Sequence, residues 1–384
     1  MPASPALKTI LGQPSWRIAT PSVEAYLTQT GGHLGPVTFT LKGRKIRPYS
    51  VAPWHNEKLG HEHPHIIKGL RGDFFCLPFG GNSTPFRGER HPVHGETANR
   101  PWALEQITQD ASGIVFRCGL RTKIRKGRVQ KIIALRAGDN AIYQKHIITG
   151  MSGPMPLGHH AMLSFPDEPG AGLISTSVAT HRQVWLEPTE SPAARGYSSL
   201  QPGAIFKNLN SVPTVWNTKA DLSRFPARRG FEDIVINVND RTLPWAWTAV
   251  VFPRQRYVWF ALKDPKVLSA TLMWISNGGR HYAPWNGRHV NVLGLEEITG
   301  FFHTGLADSA GKNPLRKFMP TAVNLHPTRP LEVNYIMAVA SIPAGFDHVD
   351  SIEGVDGGVI LASRSGKLAA ASLDLSFLLS KIVS

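Results

Sequence analysis

Apolar and polar residues alternate along much of the chain with a period of two residues. In the clearest segment, from Ile114 to Ile124, apolar side chains occupy most even positions and Arg or Lys occupies odd ones. This alternation is typical of a β-strand that buries one face. Lys126-Gly127 then supplies a turn before the next segment of the same kind. The other strand-like segments are 129–135, 141–148, 172–178, 233–238, 245–252, 257–262, 270–275, 290–295, 331–340 and 358–362.

Turn-forming residues are frequent, with 36 Gly and 30 Pro in 384 residues, whereas helical patterns are few. The best helical windows are Ser22–Thr30 and Leu373–Ile382. Glu187–Gly203 is predicted to be a long loop, because strand-like patterns continue on both sides of it. The sequence has no internal repeat and no obvious linker. It therefore predicts one mainly antiparallel β domain over residues 1–384, built as a sandwich or a barrel.

Basic residues exceed acidic ones by 42 to 27, which gives a formal net charge of +15. Most of the excess lies in residues 1–150, and the run from Arg117 to Lys131 contains no acidic residue. No RNA-binding signature, helix-turn-helix pattern or zinc finger accompanies this charge. We therefore expect no nucleic-acid partner, and the basic run is best explained as the solvated face of a hairpin. The excess positive charge raises the expectation of an anionic substrate above that for a chain without that charge.

The composition places the chain among globular proteins of a reducing compartment. No apolar stretch approaches the roughly 20 residues of a membrane span, and no secretory signal is visible. The two cysteines, Cys76 and Cys118, cannot form a disulfide framework. We therefore expect a cytoplasmic protein with no membrane partner, and the sequence leaves its oligomeric state open.

Histidine is unusually clustered, and the first cluster is His61-Glu62-His63-Pro64-His65. Alternate histidines on an extended segment would point to one side and could bind a metal, as in cupins. The Glu that cupins place a few residues later is missing, so a surface loop is the preferred interpretation. We expect neither a metal nor a cofactor, and a cupin-like metalloenzyme is kept as the weakest alternative.

Residues 71–102 form a segment rich in Gly, Pro and aromatic residues, which is typical of a loop that builds a binding site. Aromatic planes beside hydrogen-bonding side chains suit a sugar, since a sugar has apolar C–H faces and a polar hydroxyl rim. A role in packing the loop is the alternative. The candidate substrate-binding residues are Asn82, Arg87, His94, Arg100, Trp102 and, from a later aromatic segment, Trp274.

Three short motifs occur in order over residues 70–300. They are His94-Gly95 followed by Pro101-Trp102, Gly158-His159-His160 leading to Phe165, and Gly294-Leu295-Glu296. Together they resemble the galactose mutarotase-like superfamily, which includes the aldose 1-epimerases. The resemblance implies an antiparallel β-supersandwich with few short helices and with the sugar site on the concave face of one sheet.

The resemblance also implies residue roles. His160 would be the general acid that protonates the ring oxygen of an aldose, and Glu296 the base that takes the proton from the anomeric hydroxyl. His94 would polarise the ring oxygen or hold a neighbouring hydroxyl. We expect a gap the width of a sugar ring between His160 and Glu296. Strand alternation should direct His159 and Glu297 away from the pocket.

The sequence therefore predicts an aldose 1-epimerase-like isomerase that acts on an aldose or a sugar derivative such as a sugar phosphate. A non-catalytic carbohydrate-binding protein on the same fold is the main alternative, because fold does not fix function. Trp102 and Trp274 should border one cleft. If the substrate is anionic, arginines of the 71–102 segment should contact it, and these are Arg71, Arg87, Arg90 and Arg100.

Overall fold

The structure is a computed structural model that describes residues 6–379. The strands of its first part are β1 (Lys8–Ile10), β2 (Gln13–Ala19), β3 (Val23–Thr28), β4 (Leu34–Leu41), β5 (Arg44–Ile46), β6 (Phe75–Cys76), β7 (Ala103–Asp110), β8 (Gly113–Thr122), β9 (Gly127–Arg136), β10 (Ala141–Thr149), β11 (Gly153–Met155), β12 (Leu157–Ser164), β13 (Gly172–Thr176) and β14 (Ala179–Val184). Those of its second part are β15 (Val212–Pro213), β16 (Lys219–Ala220), β17 (Arg224–Phe225), β18 (Phe231–Asn239), β19 (Ala246–Phe252), β20 (Tyr257–Lys263), β21 (Ala270–Asn277), β22 (Val292–Thr299), β23 (Val323–Leu325), β24 (Leu331–Ser341), β25 (Val349–Val355), β26 (Gly358–Ser363) and β27 (Leu368–Ser372). The helices are α1 (His65–Lys68), α2 (Leu306–Ala310) and α3 (Ser376–Leu379), with short 3-10 turns at Glu96–Ala98, Pro192–Ala194 and Pro314–Lys317.

Two large sheets dominate the architecture. One has nine strands in the order β17-β13-β19-β20-β24-β10-β9-β8-β7, and the other has six in the order β14-β18-β21-β22-β12-β6. Neighbouring strands in both sheets are antiparallel. The chain begins with a five-stranded sheet, β1 to β5, and a three-stranded sheet, β25-β26-β27, comes near its end. Strand content is 49% and helix content 6%, which confirms the mainly antiparallel β prediction.

Both helical predictions need correction. Ser22–Thr30 forms β3, because Val23, Ala25 and Leu27 are buried while the residues between them are partly exposed, which is the period of a strand. Of Leu373–Ile382 only α3 is helical, and residues 380–382 lie outside the described residues. The predicted loop Glu187–Gly203 contains no strand and only one 3-10 turn.

The six-stranded sheet buries apolar side chains on both of its faces. On the inner face, Val235, Met273 and Leu295 belong to the core that it shares with the nine-stranded sheet. On the outer face, Ile234 and Leu272 belong to a second core that is closed by loop residues. The loop residues of this second core include Trp54, Phe74 and Trp285. Alternate residues of one strand therefore enter two separate interiors.

The nine-stranded sheet is also covered on its outer side. Phe260 and Ile336 there pack in a third core together with Leu361 of β26 and Leu378 of α3. Within residues 6–379, no helix is long and apolar enough to cross a membrane.

The sandwich core predicts the result of a simple truncation. Leu135 of β9 is 1% exposed between the large sheets, and Leu135→Ala should lower the free energy of unfolding by about 2–5 kcal/mol, since it removes buried methyl groups and leaves a cavity. Leu368→Ala is the control, because Leu368 is 62% exposed, and its effect should stay within about 0.5 kcal/mol. Urea unfolding of both variants measures the difference, and equal effects would contradict the layer assignment.

Candidate functional site

A cavity of about 190 Å³ lies over the outer face of the six-stranded sheet. Strands β12, β18, β21 and β22 supply its floor, and the loops around residues 66–94, 280–285 and 303 supply its walls. Its lining residues are Ile66, Ile67, Leu70, Phe74, Gly81, Val93, His94, His160, Ile234, Leu272, Trp274, Arg280, Trp285, Glu296 and His303. The lining combines aromatic planes with titratable side chains, which is the composition expected of a small-molecule site.

His160 and Glu296 are direct cross-strand neighbours on this floor. In the antiparallel pairing of β12 with β22, His160 lies opposite Glu296, so both side chains stand on the same face. The distance between His160 Nε2 and Glu296 Oε1 is 3.2 Å. This distance is too short for the sugar-wide gap that the family resemblance implies between the two residues, and it corrects that expectation.

The next residues along both strands face the opposite way. His159 lies opposite Glu297 in the same pairing, and both are fully buried between the two large sheets. There, Glu297 forms an ion pair with Lys263, and His159 Nδ1 lies 2.9 Å from Asp73 Oδ2. Both side chains therefore point away from the cavity, as strand alternation requires.

Asp73 links the backbone of His160 to the sandwich interior. Its Oδ1 accepts a hydrogen bond of 3.0 Å from the His160 backbone N–H, and its Oδ2 accepts one of 2.6 Å from Gln144. Burial alone would raise the pKa of Asp73, but His159 and the nearby Lys131 hold it below its ordinary value. The carboxylate thus stays charged and fixes the position of β12 beneath the cavity.

Burial controls the protonation of the cross-strand pair. Desolvation lowers the pKa of His160 well below its usual value, and the neighbouring His94 acts in the same direction. Desolvation raises the pKa of Glu296 well above its usual value. Burial therefore favours a neutral imidazole facing a neutral carboxylic acid, an arrangement in which the pair holds one transferable proton.

His94 is directed into the cavity by a tight turn. Its φ is +57° and that of Gly95 is +77°. A Cβ atom at Gly95 would lie 1.9 Å from the carbonyl oxygen of Leu77, so only glycine fits this position. The His94 ring then stands edge-on to His160, with their centroids 5.0 Å apart. Burial lowers the pKa of His94 to about 3, so this ring is neutral at pH 7.

Trp274 forms an aromatic wall that buried polar groups hold in place. Its ring stands edge-on to His160 at 5.7 Å, and its indole N–H donates a hydrogen bond of 3.0 Å to Glu232. Glu232 also accepts hydrogen bonds from the hydroxyl of Ser276 and the backbone N–H of Gly279. Burial raises the pKa of Glu232 to about 7.

Arg280 is the cation of the cavity lining, and acidic side chains surround it. Its Nε lies 2.6 Å from Glu190 and 4.0 Å from Glu232. The guanidinium group also stacks over the rings of Trp285 and Trp274, at 4.5 and 5.3 Å from their centroids. These contacts both neutralise and immobilise the arginine.

Two buried ring nitrogens near the cavity lack a partner. Among residues 6–379, no hydrogen-bond partner is found for Nδ1 of His160 or Nδ1 of His303. Burial lowers the pKa of His303 to about 4, so this ring is neutral as well. Unpaired buried polar atoms are costly, so these two nitrogens lower the stability of the surrounding loops.

Two of the predicted substrate-binding residues lie away from the cavity. Trp102 is 1% exposed within the core between the large sheets, and its indole N–H donates to the carbonyl of Thr97. It therefore does not share a cleft with Trp274, which corrects that expectation. Arg100 lies 2.8 Å from Glu96 in an ion pair and does not line the cavity.

Asn82 and Arg87 belong to the loop beside the cavity but do not line the cavity. The Asn82 amide donates to backbone carbonyls of its own segment, and its Oδ1 accepts a hydrogen bond from the backbone N–H of Leu306. It thereby ties the loop to α2. Arg87 is exposed and lies over the ring of Phe86.

The other two arginines proposed for an anionic substrate are also outside the lining. Arg71 is fully buried, and its guanidinium group donates to the carbonyls of Ile10, Leu11 and Gly69. Arg90 lies on the surface of the same loop and does not line the cavity. The arginines near His94 in sequence therefore do not bring positive charge to the cavity.

The His61–His65 segment forms a turn that leads into α1. It is not extended, so the histidines do not alternate on one side as a cupin-like site would require. In the part of the chain that the structure describes, no group of three or more His, Cys, Asp or Glu side chains could hold a metal ion. The metalloenzyme alternative therefore loses its structural basis.

Several lining residues escaped the sequence analysis. Arg280 carries no local signature, and neither does Glu232, which holds Trp274 in place without lining the cavity itself. His303 and Phe74 come from loops whose contact with β12 depends on the tertiary structure. Glu232 could have been noticed as an acidic residue that begins a strongly apolar strand.

The similarity of this chain to known proteins is found in its structure. No protein-family model matches the chain, and no curated protein matches its sequence. Solved structures do match. A galactose mutarotase-like protein from Clostridium acetobutylicum superposes with a TM-score of 0.58 at 12% identity, over 88% of this chain and 98% of that one.

Two further structures agree with it. A candidate aldose 1-epimerase from Escherichia coli K12 has a TM-score of 0.57 at 13% identity and covers 86% of this chain and 100% of its own. A galactose mutarotase-related enzyme from Lactobacillus acidophilus has a TM-score of 0.53 at 11% identity, over 85% of this chain and 97% of that one. Identities this low describe the fold alone. The chain therefore has the galactose mutarotase-like fold that the motifs around His94, His160 and Glu296 predict.

Proposed function

We propose that this protein is an aldose 1-epimerase that interconverts the anomers of a neutral aldose in the cavity above β12 and β22. The observation that carries the proposal is the buried His160–Glu296 pair, whose ring nitrogen and carboxyl oxygen lie 3.2 Å apart at the cavity floor. The fold similarity to mutarotase-like proteins supports the same reaction class.

The reaction needs two proton transfers at neighbouring oxygens. In ring opening, a base removes the proton from O1, the C1–O1 bond becomes a carbonyl, the C1–O5 bond breaks, and an acid protonates O5. Both oxygens are bonded to C1, so the acid and the base must also lie side by side. The adjacent His160 and Glu296 meet this requirement, and a wide gap between them would not.

The pair can supply both transfers while holding a single proton. With His160 neutral and Glu296 protonated, the carboxylic acid gives its proton to one oxygen while the imidazole takes a proton from the other. This resting state reverses the acid and base roles that the family resemblance implies for the two residues. The pair then holds one proton, which came from the sugar and lies on His160, and ring closure on the opposite face of C1 reverses both transfers. The proton count of the site is therefore unchanged over one turnover.

The surrounding side chains suit a sugar. Trp274 and Trp285 line the cavity and provide apolar ring surface for C–H faces, and Phe74 supports the His160 ring from behind by stacking on it at 4.5 Å. His94 borders His160 and is neutral, so it can donate or accept one further hydrogen bond.

The charge of the lining favours a neutral aldose over an anionic one. Arg280 is engaged by Glu190 and Glu232, and the arginines that the sequence offered for an anion lie outside the lining. A phosphate or carboxylate on the sugar would therefore meet no unpaired cation among the described lining residues. The basic residues that give the chain its net charge of +15 lie mostly outside the cavity lining.

We expect His160→Asn and Glu296→Gln each to slow anomer exchange by about 10²-fold or more, since each removes one of the two proton-transfer groups. The double variant should lose little beyond either single one, because the two residues act as a unit. Polarimetry or NMR exchange spectroscopy with a panel of aldoses measures the rate.

His348→Asn is the matched control for this pair of variants. His348 is a mostly buried histidine whose pKa burial also lowers, but it lies outside the cavity and contacts the carbonyl of Ser223. The anomer-exchange rate of the His348→Asn variant should stay within about twofold of the wild-type rate. Sugar binding without any exchange activity in the wild type would support the non-catalytic carbohydrate-binding alternative instead.

The pH dependence of kcat/KM should be bell-shaped, and its acid and alkaline limbs should report the titration of the His160–Glu296 pair. Acid blocks the base by placing a second proton on the pair, and because the pKa of His160 is lowered, that limb should lie below 6.5. Alkali removes the last proton, and because the pKa of Glu296 is raised, that limb should lie well above 4.5. Any residual activity of Glu296→Gln should lack the alkaline limb. An acid limb centred above 6.5 would contradict a neutral resting His160.

Substrate charge gives an independent test. A neutral hexose should bind more tightly than its 6-phosphate, because the lining residues described here offer the phosphate no free cation. Calorimetric titration at low and high salt makes the comparison. Tighter binding of the phosphate, weakened by salt, would instead show that an anionic sugar is the substrate.

A further inference from the structure

A second and larger cavity, of about 470 Å³, lies at one end of the sandwich. Its floor is apolar and belongs to the core between the two large sheets. The floor residues, each at most 8% exposed, are Ile174, Leu200, Leu222, Phe225, Met273 and Leu293. A cavity of this size and composition is in the range of small-molecule sites.

The rim of this cavity is basic. Lys219, Arg224 and Arg228 line it and are exposed. Among the described residues, no carboxylate lies within 4.0 Å of Lys219 or Arg228, and Arg224 has only a distant, exposed contact of 3.8 Å with Asp221. The guanidinium group of Arg228 is instead held over the ring of Trp216 at 4.4 Å. The exposed carboxylate Asp221 also lies at the rim, and the charge of Arg228 acts on the buried Asp233 by opposing the rise of its pKa. Three basic side chains against one exposed carboxylate leave the rim with a net positive charge.

Asp233 is the buried carboxylate of the lining, and the protein itself satisfies it. It accepts hydrogen bonds from the backbone N–H and hydroxyl of Ser199 and from the backbone N–H of Leu200. These bonds hold the loop that closes the cavity. A second anion next to Asp233 would be repelled, so an anionic ligand must place its charged group at the rim and its apolar part inside.

The two cavities lie on opposite faces of the same sheet. Met273 and Leu293 face this cavity from β21 and β22, whereas Trp274 and Glu296 of the same strands face the candidate catalytic cavity. Strand alternation therefore separates the two sites by the thickness of the six-stranded sheet. A ligand in one need not displace a ligand from the other.

We propose that this cavity is a binding site for an amphipathic monoanion, such as a medium-chain aliphatic carboxylate. The tail occupies the apolar floor, and the carboxylate binds at the rim to Arg228 and Lys219. Arg228 is the main anchor, because its planar guanidinium group matches a carboxylate and is pre-positioned by stacking on Trp216. This site is independent of the proposed epimerase activity.

Calorimetric titration of the full chain with decanoate tests the proposal, with decanol as the uncharged analogue. Saturable binding of one decanoate is expected, with weaker binding of decanol. Arg228→Gln should weaken decanoate binding by about threefold to tenfold, since it removes one partly exposed charged contact. Arg229→Gln is the matched control, because the neighbouring Arg229 pairs with Asp167 and does not line the cavity. It should leave the affinity unchanged.

A cavity-filling variant locates the site. Ala220 is a half-buried lining residue that packs against the core, so Ala220→Phe should fill part of the floor and abolish decanoate binding. Absence of saturable binding in the wild type, or equal affinities for decanoate and decanol, would overturn the proposal. So would equal effects of Arg228→Gln and Arg229→Gln. Full binding by a folded Ala220→Phe variant would place the ligand elsewhere and overturn the site.

Discussion

The antiparallel register between β12 and β22 is the constraint on which the candidate site depends. It sets His160 opposite Glu296 on one face of the six-stranded sheet and His159 opposite Glu297 on the other. A slip of one residue would exchange the two faces, because side chains alternate along a strand. Asp73 opposes such a slip, since its carboxylate binds both the His160 backbone and the His159 ring. The buried network between the sheets thus fixes the geometry of the cavity on the outside.

Burial on both faces of the sheet explains the electrostatics of the site. The loops that carry Phe74 and Trp285 close the outer face, and water is displaced from His160 and Glu296. Desolvation moves the two pKa values in opposite directions, so the neutral forms prevail in both groups. An acid and a base in contact can then coexist without a net charge in the core, which suits the proposed proton transfers at O1 and O5 of a sugar.

Charge is distributed in a way that separates the two cavities. In the candidate catalytic cavity, the Arg280 guanidinium is surrounded by Glu190 and Glu232, and it acts as part of the wall. At the second cavity, the guanidinium of Arg228 is stacked on Trp216 without an acidic partner among the described residues. The first environment suits a neutral polyhydroxyl ligand and the second an anionic head group. The whole-chain charge of +15 therefore describes neither cavity by itself.

The sequence by itself determined the mainly antiparallel β class, the scarcity of helices, many of the strands and the faces of the site residues. Alternation is a local property, so it placed His160 and His159 on opposite faces of a strand. It placed Glu296 and Glu297 on opposite faces in the same way. The helical prediction for Ser22–Thr30 was wrong, because Val23, Ala25 and Leu27 alternate as in a strand and the segment contains β3, which pairs with β2 and β4. Only the tertiary structure decided which strands pair over long separations, and hence that His160 touches Glu296 while Trp102 is buried in another core. Arg280 and His303 could not be found from sequence, because their positions follow from long-range packing and their neighbours in the chain carry no matching signal.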